Sequence, residues 1–265
     1  MKATRIAWIA KYATLIFLVT IWLYPIGLAI WKSTAVGGWA NYTEVLTHDQ
    51  FNYWQAVGNS FLMAGVSTIL VIIISALGGY AFSKMRFRGR TLIYNMLMAC
   101  MAVSIASVVT PLFASVNRLG LRDTQLGVII PMVAFNTLMM LMIMKTHFDS
   151  LPDELIEAAL IDGCGSFKIF RSVLLPLSGS PMATVGVLTF VYTWNEYLLP
   201  LLLMKSENIF PVTRAISLLQ FDKMSQHDIS VLYAGLILMT LPTLVVYLFS
   251  QKYLQAGITA GAVKS

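Results

Sequence analysis

The stretch SFLMAGVSTILVIIISALGGYAF, residues 60–82, contains no charged side chain. An α-helix of about 20 apolar residues is long enough to cross the hydrocarbon core of a bilayer. The stretch is apolar on all sides, which is typical of a helix surrounded by lipid or by other helices. Residues 60–82 therefore predict a transmembrane helix.

Five further apolar runs repeat this pattern, at residues 13–31, 92–116, 126–144, 182–204 and 231–250. The composition agrees, because 58% of the residues are hydrophobic and only 11% are charged, whereas a soluble domain carries about 25% charged residues. So few charged residues cannot cover the surface of the folded chain, so lipid must cover much of it. The expected fold class is all-α, an integral membrane bundle of six transmembrane helices that forms a single domain over residues 1–265.

The lysines and arginines lie at the ends of the apolar runs and not on one polar face. The net charge of +6 therefore does not indicate nucleic-acid binding. With six spans, 12 of these 18 residues fall on the side of the two termini and 6 on the opposite side. Because cytoplasmic loops carry the excess of Lys and Arg, both termini are predicted to be cytoplasmic.

Other functional classes find little support in the sequence. The three histidines lie in or beside loops and Cys100 and Cys164 lie far apart, so neither a metal site nor a disulfide is predicted. An intramembrane enzyme would need several reactive groups at one depth, and Glu196 is the one convincing intramembrane acid. An ATP-independent secondary transporter would show inverted repeats or intramembrane ion ligands. Both classes stay as alternatives.

The longest predicted cytoplasmic loop, residues 145–181, has the pattern of a helix–turn–helix. Ser150 is the predicted N-cap of its first helix, and Gly163 the predicted C-terminal stop. A second helix is expected over Phe167 to Leu174, ended by Pro176. Such a hairpin is either a surface that a partner grips or an amphipathic hairpin that lies on the membrane.

This loop resembles the EAA motif of ABC importer permeases, which reads EAA, three residues, G, nine residues and I-x-L-P. The matching residues are Glu157, Ala158, Ala159, Gly163, Val173, Leu175 and Pro176, with Val173 in place of the isoleucine. Residues 80–84, 87–90, 194–197 and 257–264 are similar to segments of carbohydrate and glycerol-3-phosphate importers. Within that group the chain resembles the smaller, six-helix permease.

The resemblance implies a binding-protein-dependent sugar importer in a bacterial or archaeal cytoplasmic (inner) membrane. Its other parts would be a second, different permease, two copies of a cytoplasmic ATPase subunit and an extracytoplasmic solute-binding protein. This chain would bind no cofactor and would not be an enzyme. ATP and Mg²⁺ would belong to the ATPase subunits, because the chain contains no G-x-x-x-x-G-K-[ST] loop to hold phosphates.

The resemblance also implies roles for individual residues. The coupling loop would contact the ATPase through Glu157, Ala158, Ala159, Gly163, Leu175 and Pro176. The C-terminal tail would contact the ATPases through Gly257, Thr259, Ala260 and Gly261.

A substrate pathway through the membrane has five candidate residues, Trp194, Asn195, Glu196, Asn136 and Ser107. An ionisable residue inside a membrane span is a functional hypothesis by default, and aromatic faces and carboxylates suit the CH patches and hydroxyls of sugars. The alternative is structural, because polar side chains in membrane helices commonly bond to neighbouring helices.

Overall fold

A computed structural model describes residues 2–220 and 224–262, with side chains for residues 8, 11–220 and 224–251. All regular structure in this part of the chain is helical. The α-helices are α1 (Lys2–Ala35), α2 (Ala40–Leu46), α3 (Tyr53–Lys84), α4 (Arg90–Cys100), α5 (Ile105–Arg118), α6 (Leu126–Ser150), α7 (Glu154–Ile161), α8 (Ser166–Ile169), α9 (Leu175–Leu177), α10 (Gly179–Trp194), α11 (Leu198–Leu203), α12 (Val212–Ile216) and α13 (Gln226–Ala262).

Four of the described helices are continuous, long and apolar enough to cross a membrane. They are Lys11–Ala35 within α1, Tyr53–Lys84, Leu126–Ser150, and Gln226–Gln251 within α13. Two bent pairs bring the number to six if each pair is one span: α4 with α5, and residues 166–177 with α10. The predicted all-α membrane bundle is confirmed, with four continuous candidate spans and up to six if each bent pair counts as one.

The predicted span 92–116 is divided between α4 and α5, which meet at an angle of 100°. The end of α4 is tightened by three successive i→i+3 hydrogen bonds, donated by the N–H groups of residues 101–103. Ser104 then adopts an extended conformation and starts α5 as its N-cap residue. Hydropathy does not reveal this break, because the residues on both sides of it are apolar.

The predicted span 182–204 is divided as well. Helix α10 ends at Trp194, and α11 begins at Leu198. The Glu196 carboxylate accepts a hydrogen bond of 2.9 Å from the Leu199 N–H, which satisfies a donor that the start of α11 leaves free. The acid that is exceptional in the sequence thus stands at a break between two helices.

The helices group into two compact units. One contains Met1–Trp54 and Ala215–Leu241, and the other contains Gln55–Arg214 and Pro242–Ser265. In the first unit, Asn41 is fully buried and its amide donates to the carbonyls of Ser33 and Val36 at 2.7 Å each. This side chain fixes the turn between α1 and α2.

In the second unit, α3 and α6 cross at a pair of glycines. A Cβ at Gly79 would lie 2.8 Å from the Met144 Cβ, and one at Gly78 would lie 2.8 Å from the Leu141 Cδ1. Small residues allow membrane helices to approach this closely. Val71, Met140 and Val185, from α3, α6 and α10, are fully buried in the same unit.

Candidate coupling site

Helix α7 carries the EAA residues and ends in a Schellman motif. The Cys164 N–H donates to the Ala159 carbonyl at 2.9 Å, and the Gly163 N–H donates to the Leu160 carbonyl at 3.0 Å. Gly163 has φ +75°, the left-handed conformation that this motif requires and that glycine adopts without strain. The predicted helix stop at Gly163 is confirmed.

The start of α7 differs from the prediction, because Ser150 is not its N-cap. Helix α6 extends to Ser150, whose hydroxyl donates to the His147 carbonyl at 2.7 Å. Lys84, at the end of α3, anchors the connection instead. Its ammonium group donates to the Leu151 carbonyl at 2.8 Å and pairs with Asp153, the residue before α7. Only 8% of the Lys84 side chain is exposed.

The second limb of the hairpin is longer than predicted. Helix α8 leads into a π-helical turn at Phe170–Leu174, and α9 continues through Pro176 to Leu177. A regular α-helix would need an N–H at position 176 and would place the proline ring against the preceding turn. The chain instead widens before Pro176, which then falls in the first turn of a new helical segment, where proline is tolerated.

The underside of the hairpin is packed against α3. Ile169, Phe170 and Leu174 are buried. The ring of Tyr80 lies 5.4 Å from Phe170, centroid to centroid, and its hydroxyl donates to the Ser166 carbonyl at 3.1 Å. Together with Lys84, these contacts join both limbs of the hairpin to α3.

The opposite side of the hairpin, which we call the tip, is exposed and apolar. Leu160, Ile161 and Phe167 are 56%, 87% and 68% exposed. The remaining coupling candidates divide between the two sides: Glu157, Ala158, Gly163 and Pro176 are exposed, Leu175 is half-buried and Ala159 is buried. Ala159 therefore packs the hairpin instead of facing outward. The sequence prediction missed the three tip residues, which only their exposure distinguishes from core positions.

The pathway candidates are spread over three elements. Trp194 is buried between Phe61 and Phe190, with ring centroids at 4.9 and 5.6 Å. The amides of Asn195 and Asn136 donate to the carbonyls four residues before them in their own helices, at 2.8 and 2.9 Å. Ser107 is exposed on α5.

Two further predictions concern the tail and metals. Helix α13 continues to Ala262, but the side chains of Gly257, Thr259, Ala260 and Gly261 lie outside the described residues. Their contact with an ATPase stays a prediction. Within residues 2–220 and 224–262, no three His, Cys, Asp or Glu side chains gather as metal ligands.

A second polar cluster, which sequence reasoning did not find, joins the α5–α6 loop to the segment after α11. Asp123 has φ +57°, and its carboxylate accepts bonds from the N–H groups of Lys205 and Ser206 at 2.7 and 2.9 Å. The Ser206 hydroxyl donates to the other oxygen. The Ser206 hydroxyl and these two N–H groups lower the pKa of Asp123 from its ordinary value.

A family model described as the inner membrane component of binding-protein-dependent transport systems matches residues 68–260. The match covers most of the chain and includes the whole hairpin from α7 to α9. The chain belongs to this family. As a permease it is a transport subunit and not an enzyme, and it works in an importer that uses a binding protein. The alternatives of a secondary transporter and an intramembrane enzyme are therefore wrong.

Several relatives resemble the permease over most of its length. It is 32% identical to the trehalose/maltose transport system permease protein MalG of Thermococcus litoralis, over 84% of this chain and 80% of that relative. It is 30% identical to the arabinooligosaccharides transport system permease protein AraQ of Halalkalibacterium halodurans, over 80% and 75%. It is also 30% identical to the inner membrane ABC transporter permease protein YcjP of Escherichia coli, over 84% and 79%. The permease is thus a multi-pass inner membrane protein of the sugar-type group.

Solved structures show the same fold. A chain of a bacterial ABC transporter involved in the import of the acidic polysaccharide alginate superposes on the permease with a TM-score of 0.80 and 24% identity. The superposition covers 96% of this chain and 98% of that one. The MetNI methionine ABC transporter gives a TM-score of 0.59 at 14% identity, over 76% and 94%. The predicted permease fold is confirmed.

Proposed function

We propose that this permease, together with a second and different permease, forms the membrane pathway for a sugar or an oligosaccharide. The names of relatives support this substrate class, since they include trehalose/maltose, arabinooligosaccharide and diacetylchitobiose systems. An extracytoplasmic binding protein delivers the sugar. Ser107 and Asn195 are the pathway candidates best suited to meet it, because their side chains are exposed.

The observation that carries the proposed coupling role is the exposed apolar tip of the hairpin, formed by Leu160, Ile161 and Phe167. Apolar side chains exposed together on a loop mark a contact with another protein or with the membrane, and the firm attachment of this hairpin to α3 favours a protein partner. A cytoplasmic ATPase subunit receives this tip in a cleft, and a second copy receives the corresponding hairpin of the other permease. Both ATPases hold the ATP and Mg²⁺, because this chain has no phosphate-binding loop.

The seat of the hairpin supports a mechanical role. Tyr80 and Lys84 join both limbs to α3, and Phe170 packs beside them. A displacement of the tip is therefore transmitted to the long helices instead of being lost in a mobile loop. Rigid-body movement of packed elements is one of the standard ways in which ligand states are converted into a change of access.

Both termini lie in the cytoplasm in this proposal. The contact between Lys84 and Asp153 supports this topology, since it joins the second and the fourth loops of the chain. These are two of the segments whose basic residues predict a cytoplasmic position. The hairpin then faces the compartment that contains ATP.

Substitution of the tip tests the coupling role. Ile161→Asp places a charge on the most exposed tip residue and should prevent co-purification of the ATPase while the permease still inserts in the membrane. Leu119→Asp is the matched control, because Leu119 is 71% exposed in the turn after α5. Wild-type ATPase recovery and sugar uptake with Ile161→Asp would rule out this role of the tip.

A further inference from the structure

The short loop between α3 and α4 forms an open surface cavity of about 400 Å³. The lining residues are Arg86, Phe87, Gly89, Arg90, Thr91 and Leu92. Gly89 has φ +83°, so the chain reverses there in a conformation that favours glycine. The reversal brings Arg86, which precedes it, and Arg90, which begins α4, to the same cavity.

The cavity is rich in hydrogen-bond donors. The guanidinium group of Arg90 is held in place by bonds from its Nη1 to the carbonyls of Ser83 and Met85, at 3.3 and 3.1 Å. In the described part of the chain no carboxylate pairs with Arg86 or Arg90. The Arg90 N–H donates to the Phe87 carbonyl at 3.4 Å. Gly89, the N-cap residue, has no side chain to satisfy the next N–H groups of α4, those of Thr91 and Leu92, and such groups attract anions.

The rim of the cavity is apolar. Phe87 is 41% exposed and Leu92 is 61% exposed, and Met96 lies one turn further along α4 with 59% of its surface exposed. Helix α4 buries none of its residues. The loop also lies directly after the long apolar helix α3, so the cavity is at a membrane surface.

We infer that this cavity binds the phosphate group of an anionic phospholipid, whose acyl chains lie along Phe87, Leu92 and Met96. Arginine pairs with phosphate oxygens through several donors at once, and basic pockets at the ends of membrane helices bind lipid head groups. The adjoining apolar rim favours a lipid over a soluble phosphate, since a soluble ion would gain nothing from it. This inference does not depend on the sugar or on the ATPase contact proposed above.

Arg88 is the control that distinguishes lipid binding in this cavity from non-specific attraction of basic residues to the anionic membrane surface. It carries the same charge in the same loop but does not line the cavity. If basic residues here only attract the anionic membrane surface, Arg86 and Arg88 are equivalent. If the cavity binds one lipid, they are not.

The test uses the transporter complex that contains this permease, purified with its bound lipid. Native mass spectrometry measures the occupancy by phosphatidylglycerol and by phosphatidylethanolamine. Arg86→Gln should weaken phosphatidylglycerol binding about fivefold, the factor that corresponds to about 1 kcal/mol for one basic side chain near an anionic surface. Arg88→Gln should leave the occupancy unchanged, and millimolar inorganic phosphate should not displace the lipid.

An equal loss of phosphatidylglycerol occupancy in both variants, or no loss in either, would show that the cavity is not a lipid site. Displacement of the lipid by inorganic phosphate would assign the cavity to a soluble anion and would contradict the proposal that its ligand is a phospholipid. Recovery of the intact complex with both variants shows that folding is not the cause of any difference.

Discussion

Gly163 and Gly165 stand two residues apart in the coupling hairpin and differ in one respect. A Cβ added at either position meets nothing within 4 Å. Gly163 has φ +75° whereas Gly165 has φ −73°. A substitution at Gly163 is therefore resisted by the backbone conformation alone, and Gly165 is its natural control.

We predict that Gly163→Ala impairs coupling and that Gly165→Ala does not. The left-handed conformation costs an L-residue with a Cβ about 1 to 2 kcal/mol, so the turn shifts and α7 changes its direction. Gly163→Asp adds a charge and should lose the ATPase or transport altogether. The measurement is sugar-stimulated ATP hydrolysis in reconstituted complexes. Equal activity of the two alanine variants would contradict the prediction.

Asp123 combines a strained backbone with three hydrogen bonds to its carboxylate. Its lowered pKa means that the native state favours the ionised form, so the stabilisation is present above the unfolded-state pKa of about 3.9 and is lost as the pH falls through the lower folded-state value. We predict constant stability from this group between pH 5 and 8 and a loss only in more acidic solution.

Two variants check the role of Asp123 by thermal unfolding in detergent. Asp123→Ala should lower the melting temperature, since it removes the acceptor and leaves a poorer residue at φ +57°. Asp123→Asn should have a smaller effect, because asparagine tolerates this conformation. Asp49→Ala removes an exposed carboxylate and serves as the control. A melting temperature unchanged by Asp123→Ala would mean that the cluster contributes nothing.

At the scale of elements, the link between α3 and α7 depends on Lys84. Its partner Asp153 is 76% exposed, so the ion pair itself is weakened by solvent. The hydrogen bond from the buried ammonium group to the Leu151 carbonyl dominates, and bonds to charged groups contribute about 1.5 to 3 kcal/mol.

We predict that Lys84→Gln inserts normally but uncouples hydrolysis from uptake, because the hairpin is then held less firmly. Arg88→Gln removes an equal charge four residues later and should leave coupling intact. The ratio of ATP hydrolysed to sugar transported, in vesicles, distinguishes the two variants. If Asp153→Asn uncouples as strongly as Lys84→Gln, the ion pair and not the carbonyl bond is the important contact.

The sequence predicted some of these elements and not others, for physical reasons. Hydropathy located α3 and α6, because their apolar runs are uninterrupted, but α3 begins seven residues before the predicted span and α6 ends six residues after it. Hydropathy did not detect the break after Cys100, since a bend changes the hydrogen bonding of the backbone without changing the polarity of the side chains. The contact of Lys84 was not predicted either, because its bond to Leu151 joins residues 67 positions apart. The Gly163 turn was predictable, since helix termination is a local property.

At the scale of the whole molecule, we predict that both termini face the cytoplasm. A single cysteine at position 265, introduced after Cys100 and Cys164 are replaced by serine, should resist a membrane-impermeant maleimide in intact cells. A cysteine in place of Asp49 should react, because the charge distribution puts that segment outside. Labelling of position 265 without permeabilisation would reverse the topology and would place the hairpin on the wrong side for ATP.

The sharp bend between α4 and α5 places a short stretch of exposed, irregular backbone at the depth of the membrane. An 11-residue helix is about 16 Å long, so α4 can carry residues 101–104 to the middle of a hydrocarbon core about 30 Å thick. These residues are exposed. The N–H groups of residues 101–103 bond to carbonyls of α4, but backbone groups that the break leaves without a helical partner must meet water or another protein at that depth, because acyl chains offer no hydrogen bonds. Water or another protein therefore replaces lipid around residues 101–104. Hydrogen–deuterium exchange of these amides should be fast in the isolated subunit and slow where another chain covers them.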